Sequence, residues 1–387
     1  MNTMTMTTDE LARALALRDL SDPAAGGHAV QHVLATIEQA VSVVWRIPVH
    51  RAAGPRIVLI ADNYDRLRYE PDAITRDRRY SRYVGSGRML RSHTTAAIPR
   101  LLDQLADSGP SDVVLSVPGI CYRRDAIDRT HTGEPHQLDL WRVRRGGTPL
   151  TEADLTDLVR LVVGTVLPGQ RWRTPPSPHP YTMAGREVYV QDGGREVEIG
   201  ECGLAHPALL AAAGLPAGAT GLAMGLGLDR LVMIAKGISD IRLLRATDPR
   251  IADQLRDLTP YRPVSTMPAI SRDLSLAVAA DLDAELLGDR VRELLGDMAK
   301  AVQEVAVLTE TGYDELPAAA RRRLGARPGQ KNVLLRVVLC DLERTLTSTQ
   351  ANAMRDRIYA RLHEGAVYEW AGRTAPQPGD ECWGRPG

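Results

Sequence analysis

The stretch GLAMGLGLDRLVM, residues 221 to 233, combines small side chains at every second position with an aspartate and an arginine at its end. In a strand, Gly225 and Gly227 would share one flat face while leucines and a methionine occupy the other. Glycine weakens a strand interior, and a close-lying ligand or backbone is a common reason to keep it. Asp229 would cap the following helix, and Arg230 would lie beside its positive end. The pattern predicts a floor for a planar ligand with phosphates; a glycine strand packed on a neighbouring helix is the alternative.

Two further pairs of polar residues stand two positions apart, so each pair would share one face of a strand. Gln137 and Asp139 form the first pair, and this arrangement suits gripping an ammonium group by charge-assisted hydrogen bonds. His93 and Thr95 form the second pair. We therefore expect these four residues to line the binding site for a substrate that carries a cationic group.

The sequence predicts that the elements that position these residues are a mostly antiparallel sheet and its flanking helices. Residues 28 to 45 have apolar side chains at helical spacing and predict an amphipathic helix. SDVVLSVPGICYRRD and HQLDLWRVR are strand-like and can pair around a polar loop at residues 124 to 135. A loop of that length between paired strands is usually functional. Asp192-Gly193-Gly194 lies between two further strand-like segments and is a hairpin signal.

After LTPYRPVSTMP the chain predicts a separate α+β domain. Thr347 and Gln350 form a capping box for its last long helix. The order βαββαβ is that of a ferredoxin-like fold. The predicted elements are a strand at 272–279, a helix at 284–301, strands at 302–308 and 332–339, a helix at 348–363 and a short strand at 366–368.

Composition excludes several classes of protein. The 387 residues carry no formal net charge, and four scattered cysteines without a CxxC pair argue against a zinc knuckle or a disulfide framework. No stretch approaches the roughly 20 apolar residues of a membrane span, and the N-terminus lacks a signal-like apolar core. We therefore expect a cytoplasmic protein.

Several motifs in order resemble the catalytic domain of class II aminoacyl-tRNA synthetases, and in detail the phenylalanyl-tRNA synthetases. They are GPRI with DNYDRL, MLRSHTTAAIPRLL, GICYRRDAIDRTHTGEPHQLD, EIGECGLAHPALL and GLGLDR. The segment from RDLSLAV to CDLERTLT is similar to the ferredoxin-fold anticodon-binding domain of single-chain, mitochondrial-type members. The resemblance covers residues 28–371. It implies an extension at 1–27, a catalytic domain at 28–260, an anticodon-binding-like domain at 261–371 and a flexible tail at 372–387.

The resemblance implies that an amino acid carboxylate attacks the α-phosphate of ATP, and that tRNA then takes the acyl group. Arg123 matches the arginine that bridges the α-phosphate and the substrate carboxylate, and Arg230 matches the arginine on the γ-phosphate. Asp125 matches the acidic residue that accepts from the adenine amino group. His131 lies in the loop that folds over the triphosphate. Each of these residues has a plainer alternative as a surface or ion-pairing side chain.

Two glutamates precede the glycine strip. Glu198 and Glu201 could hold Mg²⁺, which prefers oxygen ligands, or could be a solvated strand edge. The family's ATP chemistry implies ATP and Mg²⁺ as the bound groups.

The resemblance places the amino acid at His93, Thr95, Gln137 and Asp139. Departures from the family pattern concern both this amino acid and the adenine of ATP. Asp139 stands where the family has glutamate, and Thr95 where it has serine. His179 and Tyr181 replace two aromatic rings that pack around the phenylalanine side chain, and Pro135 replaces a ring that stacks on adenine. Polar groups in a side-chain pocket need hydrogen-bond partners. The alternative substrates are therefore tyrosine-like, heteroaromatic or modified aromatic amino acids.

The tRNA partner rests on weaker signals. From residue 264 onward, 16 lysines and arginines face 18 acidic residues, a net charge of −2, which is poor for binding RNA through its phosphates. RRRLGARPGQK concentrates positive charge in one predicted loop that could contact an anticodon stem or simply be solvated. Its cationic residues are Arg321, Arg322, Arg323, Arg327 and Lys331.

Taken together, the sequence predicts an ATP-dependent amino acid ligase that charges tRNA as a monomer or homodimer. A specialised ligase that passes an unusual aromatic acid to another acceptor is one alternative. A non-catalytic RNA-binding or regulatory relative is the other.

Overall fold

The computed structural model describes residues 5–77, 80–124, 126–264 and 267–368. The described residues form two compact units: those up to 124 and at 132–264 form the first, and those at 126–131 and from 267 onward form the second. None of the described helices is long and apolar enough to cross a membrane.

The first unit contains eight of the described α-helices and ten strands. The helices are α1 (Thr8–Ala16), α2 (Ala29–Trp45), α3 (Ile60–Asn63), α4 (Ile98–Ser108), α5 (Glu152–Val166), α6 (Pro207–Ala212), α7 (Leu228–Lys236) and α8 (Pro249–Ala252). The strands are β1 (Val49–Arg51), β2 (Ile57–Leu59), β3 (Tyr83–Gly85), β4 (Arg88–Leu90), β5 (Asp112–Ile120), β6 (His136–Arg144), β7 (Trp172–Arg173), β8 (Thr182–Asp192), β9 (Arg195–Ala205) and β10 (Thr220–Gly227).

A seven-stranded sheet in the order β1-β5-β6-β10-β9-β8-β7 forms the frame of this unit. Its described strand pairs are antiparallel except β1 with β5, which confirms the mostly antiparallel sheet. The predicted hairpin is also confirmed, because Gly193 and Gly194 join β8 to β9 with positive φ angles of 53° and 84°. Strands β2, β4 and β3 form a separate small sheet.

The two faces of β10 have different surroundings, as the alternation of its residues predicts. Leu222, Met224 and Leu226 are buried in a core shared with apolar residues of α2, α5 and α7. Ala223 belongs to a second core on the opposite face, which includes residues of α4 and α6. The sheet is therefore covered on both sides at the start of β10.

The second unit contains β11 (Ile270–Ala279), α9 (Ala284–Leu295), β12 (Val302–Gly312), α10 (Ala318–Leu324), β13 (Gln330–Leu339) and α11 (Ser348–Leu362). The strands form an antiparallel sheet in the order β11-β13-β12. The capping box of Thr347 and Gln350 is confirmed at the start of α11.

Two predictions for this unit are wrong. Residues 366–368 form no strand, because the chain bonds to a turn and not to the sheet: the Ala366 N–H donates to the Gly325 carbonyl at 2.9 Å. The basic segment is not one loop. Its first three arginines belong to α10, because alanine and arginine favour helices, and Gly325 ends that helix in the left-handed conformation. Lys331 lies in β13, and Arg327 lies in the connection between α10 and β13.

Candidate functional site

The register of the large sheet brings the predicted residues into two neighbouring rows. Gly227 of β10 pairs with Gln137 of β6, which pairs with Gly119 of β5. Two residues further into the sheet, Gly225 pairs with Asp139 on one side and with Glu201 on the other. Residues paired across adjacent strands share a face, so two carboxylates flank a glycine.

Asp139 is 3% exposed and is surrounded by hydrogen-bond donors. The hydroxyls of Thr94 and Thr95 donate to one carboxylate oxygen at 2.8 and 2.9 Å, and the Trp141 indole N–H donates to the other at 2.9 Å. Burial raises the pKa of Asp139 to about 6, although these three donors oppose the shift. Asp139 can therefore hold a negative charge near neutral pH against a cationic group.

His93 lies in the same region with neither ring nitrogen hydrogen-bonded to the protein. Its ring stacks on Tyr69 with the centroids 6.0 Å apart. Burial, reinforced by the nearby charge of Arg123, lowers the pKa of His93 to about 3. The imidazole is thus neutral, and its two nitrogens are buried without a protein partner. Gln137 is half-buried and accepts from the Cys121 thiol at 3.3 Å.

The two predicted phosphate arginines leave the sheet at the same edge. Arg123 follows the end of β5 by three residues, and Arg230 follows the end of β10 by three. The row of Gly119, Gln137 and Gly227 is the last row of β10, the last but one of β5 and the second of β6. The Nε of Arg123 donates to the Ser92 carbonyl at 2.7 Å. One terminal nitrogen of Arg230 donates to the Glu198 carbonyl at 2.9 Å. Backbone carbonyls therefore orient both guanidinium groups.

The glycine strip is open only at its end. A Cβ added to Gly221 would lie 2.9 Å from the Ala205 side chain, so this part is closely packed. A Cβ on Gly225 would meet the Glu201 side chain at 3.5 Å, an ordinary contact. At Gly227 the nearest atoms are 3.8 Å away or more. A flat ligand can reach the backbone at Gly227, whereas Gly225 lies between Asp139 and Glu201 on the neighbouring strands.

Asp229 does not cap α7, contrary to the sequence-based prediction. The residue lies within the first turn, where it is buried and accepts from the N–H of His136 at 2.6 Å and from its Nδ1 at 2.9 Å. A partner 93 residues away in the chain thus replaces the local cap.

Glu198 and Glu201 do not fit a magnesium site as they stand. The Glu198 carboxylate lies 3.5 Å from Arg230, and both oxygens of Glu201 are hydrogen-bonded, to Tyr181 and to His179. In the part of the chain that the structure describes, no group of three or more histidine, cysteine, aspartate or glutamate side chains could hold a metal ion. We derive no step through magnesium at these residues.

His179 and Tyr181 both bind the Glu201 carboxylate. The His179 Nε2 is 2.7 Å from one carboxylate oxygen, and the Tyr181 hydroxyl donates to the other. Burial would raise the pKa of Glu201, but these bonds and the charge of Arg123 lower it to about 2. Burial would likewise lower the pKa of His179, but Glu201 raises it above its ordinary value.

Three neighbouring residues were missed by sequence reasoning. Thr94 and Trp141 bond to Asp139, and Tyr69 stands between His93 and Tyr181, with centroids 6.0 and 6.4 Å away. Trp141 could have been found, because it is two residues after Asp139 on the same strand face. No local signal marks Tyr69.

Three further residues were predicted from the sequence to lie at the nucleotide. Asp125 falls outside the described residues. His131 belongs to the second unit, where its Nδ1 is 2.7 Å from the Asp128 carboxylate. Pro135 is half-buried, and its carbonyl accepts from the Cys121 N–H at 2.8 Å.

The five predicted RNA-binding residues differ in their surroundings. Arg322, Arg323 and Arg327 are exposed. Arg321 instead donates to the Leu316 and Asp314 carbonyls, and Lys331 pairs with Glu310 at 2.9 Å. The exposed arginines therefore supply the accessible charge of the cluster.

Comparisons with known proteins identify the family of this chain. Residues 20–255 match the family described as tRNA synthetases class II core domain (F). The phenylalanine–tRNA ligase alpha subunit of Prochlorococcus marinus is 33% identical over 241 residues, which cover 61% of this chain and 69% of that protein. The alpha subunit of Acaryochloris marina is 32% identical, covering 59% and 67%. A solved pyrrolysyl tRNA synthetase of Desulfitobacterium hafniense superimposes with a TM-score of 0.45 at 17% identity, covering 61% of this chain and 77% of that chain. The matched region contains the sheet and the site built on it, and the chain belongs to the class II tRNA synthetase core family.

Proposed function

We propose that this chain activates an aromatic or related amino acid with ATP, forming an aminoacyl-adenylate, and transfers the acyl group to tRNA. The observation that carries the proposal is the pairing of two rows on one sheet face. One row ends beside two arginines at an accessible glycine, and the other presents a buried carboxylate ringed by donors. Relatives named phenylalanine–tRNA ligase support the same reaction.

The charges of the site suit the first step. Asp139, with Thr95, Gln137 and the neutral His93, would hold the amino acid, whose carboxylate then attacks the α-phosphorus as the bond to pyrophosphate breaks. Negative charge develops on phosphorus oxygens in the transition state, and fixed cations stabilise it. Arg123 would do so at the α-phosphate and Arg230 at the γ-phosphate, while Gly227 lets the nucleotide lie against the backbone.

Transfer to tRNA is the second step, in which a tRNA hydroxyl attacks the acyl carbon and AMP leaves. We assign the second unit a ferredoxin-like, anticodon-binding role. The β-α-β order and the exposed arginines of and beside α10 support this assignment. Action as a monomer or homodimer is part of the proposal. Light scattering on preparations that charge tRNA tests it, and a requirement for a second kind of subunit would contradict it.

Pyrophosphate exchange with a panel of aromatic acids tests the activation step. We expect exchange with at least one acid and a loss of about 10²–10³-fold in Arg123→Ala, the size expected when a transition-state charge partner is removed. Arg195→Ala, a change at an exposed arginine of the β8–β9 hairpin, is the matched control and should retain full activity. Thermal unfolding of both variants checks that they fold.

The outcomes separate the candidate functions. If no acid supports exchange, the chain is a non-catalytic RNA-binding or regulatory relative. If exchange persists in Arg123→Ala, Arg123 does not have the role proposed for it. Exchange without charging of total tRNA would indicate a ligase with another acceptor.

A further inference from the structure

The Glu201 carboxylate is an ionised group beside the candidate amino-acid site. It stands across Gly225 from Asp139, and its side chain is 37% exposed although Tyr181 beside it is only 4% exposed. With a pKa of about 2 the Glu201 carboxylate is ionised at neutral pH, and its hydrogen bond and charge raise the pKa of His179 above the ordinary value although burial opposes this shift. A ligand in the pocket can therefore reach a charged acceptor.

Aromatic rings contact both carboxylates, since Trp141 donates to Asp139 and Tyr181 donates to Glu201. Tyr181 stacks on Trp141 with centroids 6.1 Å apart and lies 6.4 Å from Tyr69. Tyr69 in turn stacks on His93. Because rings prefer offset-stacked or edge contacts at 4.5–7 Å, this wall suits an aromatic guest.

The acceptor capacity of Glu201 is not exhausted by its two partners. A carboxylate offers about four lone-pair positions, and the hydroxyl of Tyr181 and the Nε2 of His179 fill two of them. A benzyl group placed over this carboxylate would displace water without replacing its hydrogen bonds, at a cost that works against phenylalanine. A ring that carries its own N–H or O–H would restore the lost bond.

We propose that Glu201, held by His179 and Tyr181, sets substrate choice, so that the chain activates an aromatic amino acid whose ring bears a hydrogen-bond donor and discriminates against phenylalanine. The proposal rests on the proposed function, since it names the substrate class of the same site. It assigns Glu201 to side-chain recognition rather than to a metal.

The test is pyrophosphate exchange by the full chain with tyrosine, meta-tyrosine, tryptophan and phenylalanine as separate probes. We expect kcat/KM for the best donor-bearing probe to exceed that for phenylalanine by about 100-fold or more, because sites built around a hydrogen bond reject analogues that lack it. The two tyrosine isomers and tryptophan distinguish a phenol from a ring N–H.

Substitutions of Glu201 and His179 test whether these residues cause the discrimination against phenylalanine. Glu201→Gln keeps the shape of the side chain but removes its charge. It should lower the ratio of kcat/KM for the donor-bearing probe to kcat/KM for phenylalanine by at least about tenfold. His179→Gln, which loosens the carboxylate without deleting it, should shift the ratio in the same direction if Glu201→Gln fails to fold. Glu196→Gln, at the exposed start of β9, is the matched control and should leave the ratio unchanged.

The results distinguish the two proposals. If phenylalanine is the best probe for the unmodified chain, or if both pocket variants keep the original ratio, this inference is wrong while the ligase function stands. If no probe and no other acid supports exchange, the proposed function itself fails and this inference fails with it.

Discussion

Asp139 is held between two opposing influences. Burial disfavours its charge, whereas Trp141, Thr94 and Thr95 all donate hydrogen bonds to the charged form. The resulting pKa of about 6 leaves the group largely ionised at neutral pH and largely protonated one unit below that value. Grip on a substrate ammonium group should therefore depend on pH.

We predict that KM for the amino acid rises as the pH falls from 7.5 to 5, reaching about ten times its plateau at pH 5, where about one-tenth of Asp139 is ionised. His93, with a pKa of about 3, stays neutral throughout this range. Pyrophosphate exchange measured against pH gives the curve. Thr94→Val, which removes one donor to the charged form, should move its midpoint upward, and a flat KM from pH 5 to 7.5 would contradict the role of Asp139.

For single residues, a contact can be predicted from the sequence when its partners are close together in the chain. Gln137, Asp139 and Trp141 share a strand face, so period two alone brings them together. The contact of His179 with Glu201 requires a loop to meet a strand, and no local pattern contains it. The same holds for Asp229, whose local capping signal is overridden by His136.

The elements were predictable where the signal was local. The hairpin at Gly193 and the capping box at Thr347 each lie within four residues, and both are present. The strand predicted at 366–368 was based only on a short apolar run. In the structure the Ala366 N–H donates instead to the Gly325 carbonyl, which is distant in the chain. Within β10, the alternation predicts two faces but not that α4 and α6 cover the first half of the small-residue face.

Strand β10 offers a direct test of the glycine floor. We predict that Gly227→Ala folds with a stability change within about 0.5 kcal/mol, since φ is −81° and no atom lies closer than 3.8 Å to the new methyl group. The methyl group would keep a nucleotide from the backbone, so KM for ATP in pyrophosphate exchange should rise by about tenfold or more. Gly146→Ala, in open space away from the site, is the matched control.

A contrasting change on β9 separates packing from binding. A Cβ at Gly200 would lie 2.0 Å from the Gly225 carbonyl oxygen, so Gly200→Ala should lower the free energy of unfolding by about 1–3 kcal/mol or more, measured by denaturant titration. If Gly227→Ala left KM for ATP unchanged, the nucleotide would not lie against β10.

Across the whole molecule, charge is balanced, and any attraction for RNA must come from its distribution. The region after residue 264 has a net charge of −2 in sequence, yet its exposed arginines cluster at the end of α10. The sequence identifies this cluster, but not which of its members are accessible, because Arg321 and Lys331 are occupied by partners within the second unit. The accessible pair on α10 is Arg322 and Arg323.

We predict that the double variant Arg322→Glu and Arg323→Glu lowers kcat/KM for tRNA charging while pyrophosphate exchange stays unchanged. If both side chains contact phosphates, the dependence of log kcat/KM on log salt should flatten by about 1–2, because fewer counterions are released on binding. The matched control is Arg357→Glu with Arg361→Glu, which makes the same charge change at two exposed positions of α11. An equal loss in both double variants would indicate a general effect of net charge, and no loss in the α10 variant would place the RNA contact elsewhere.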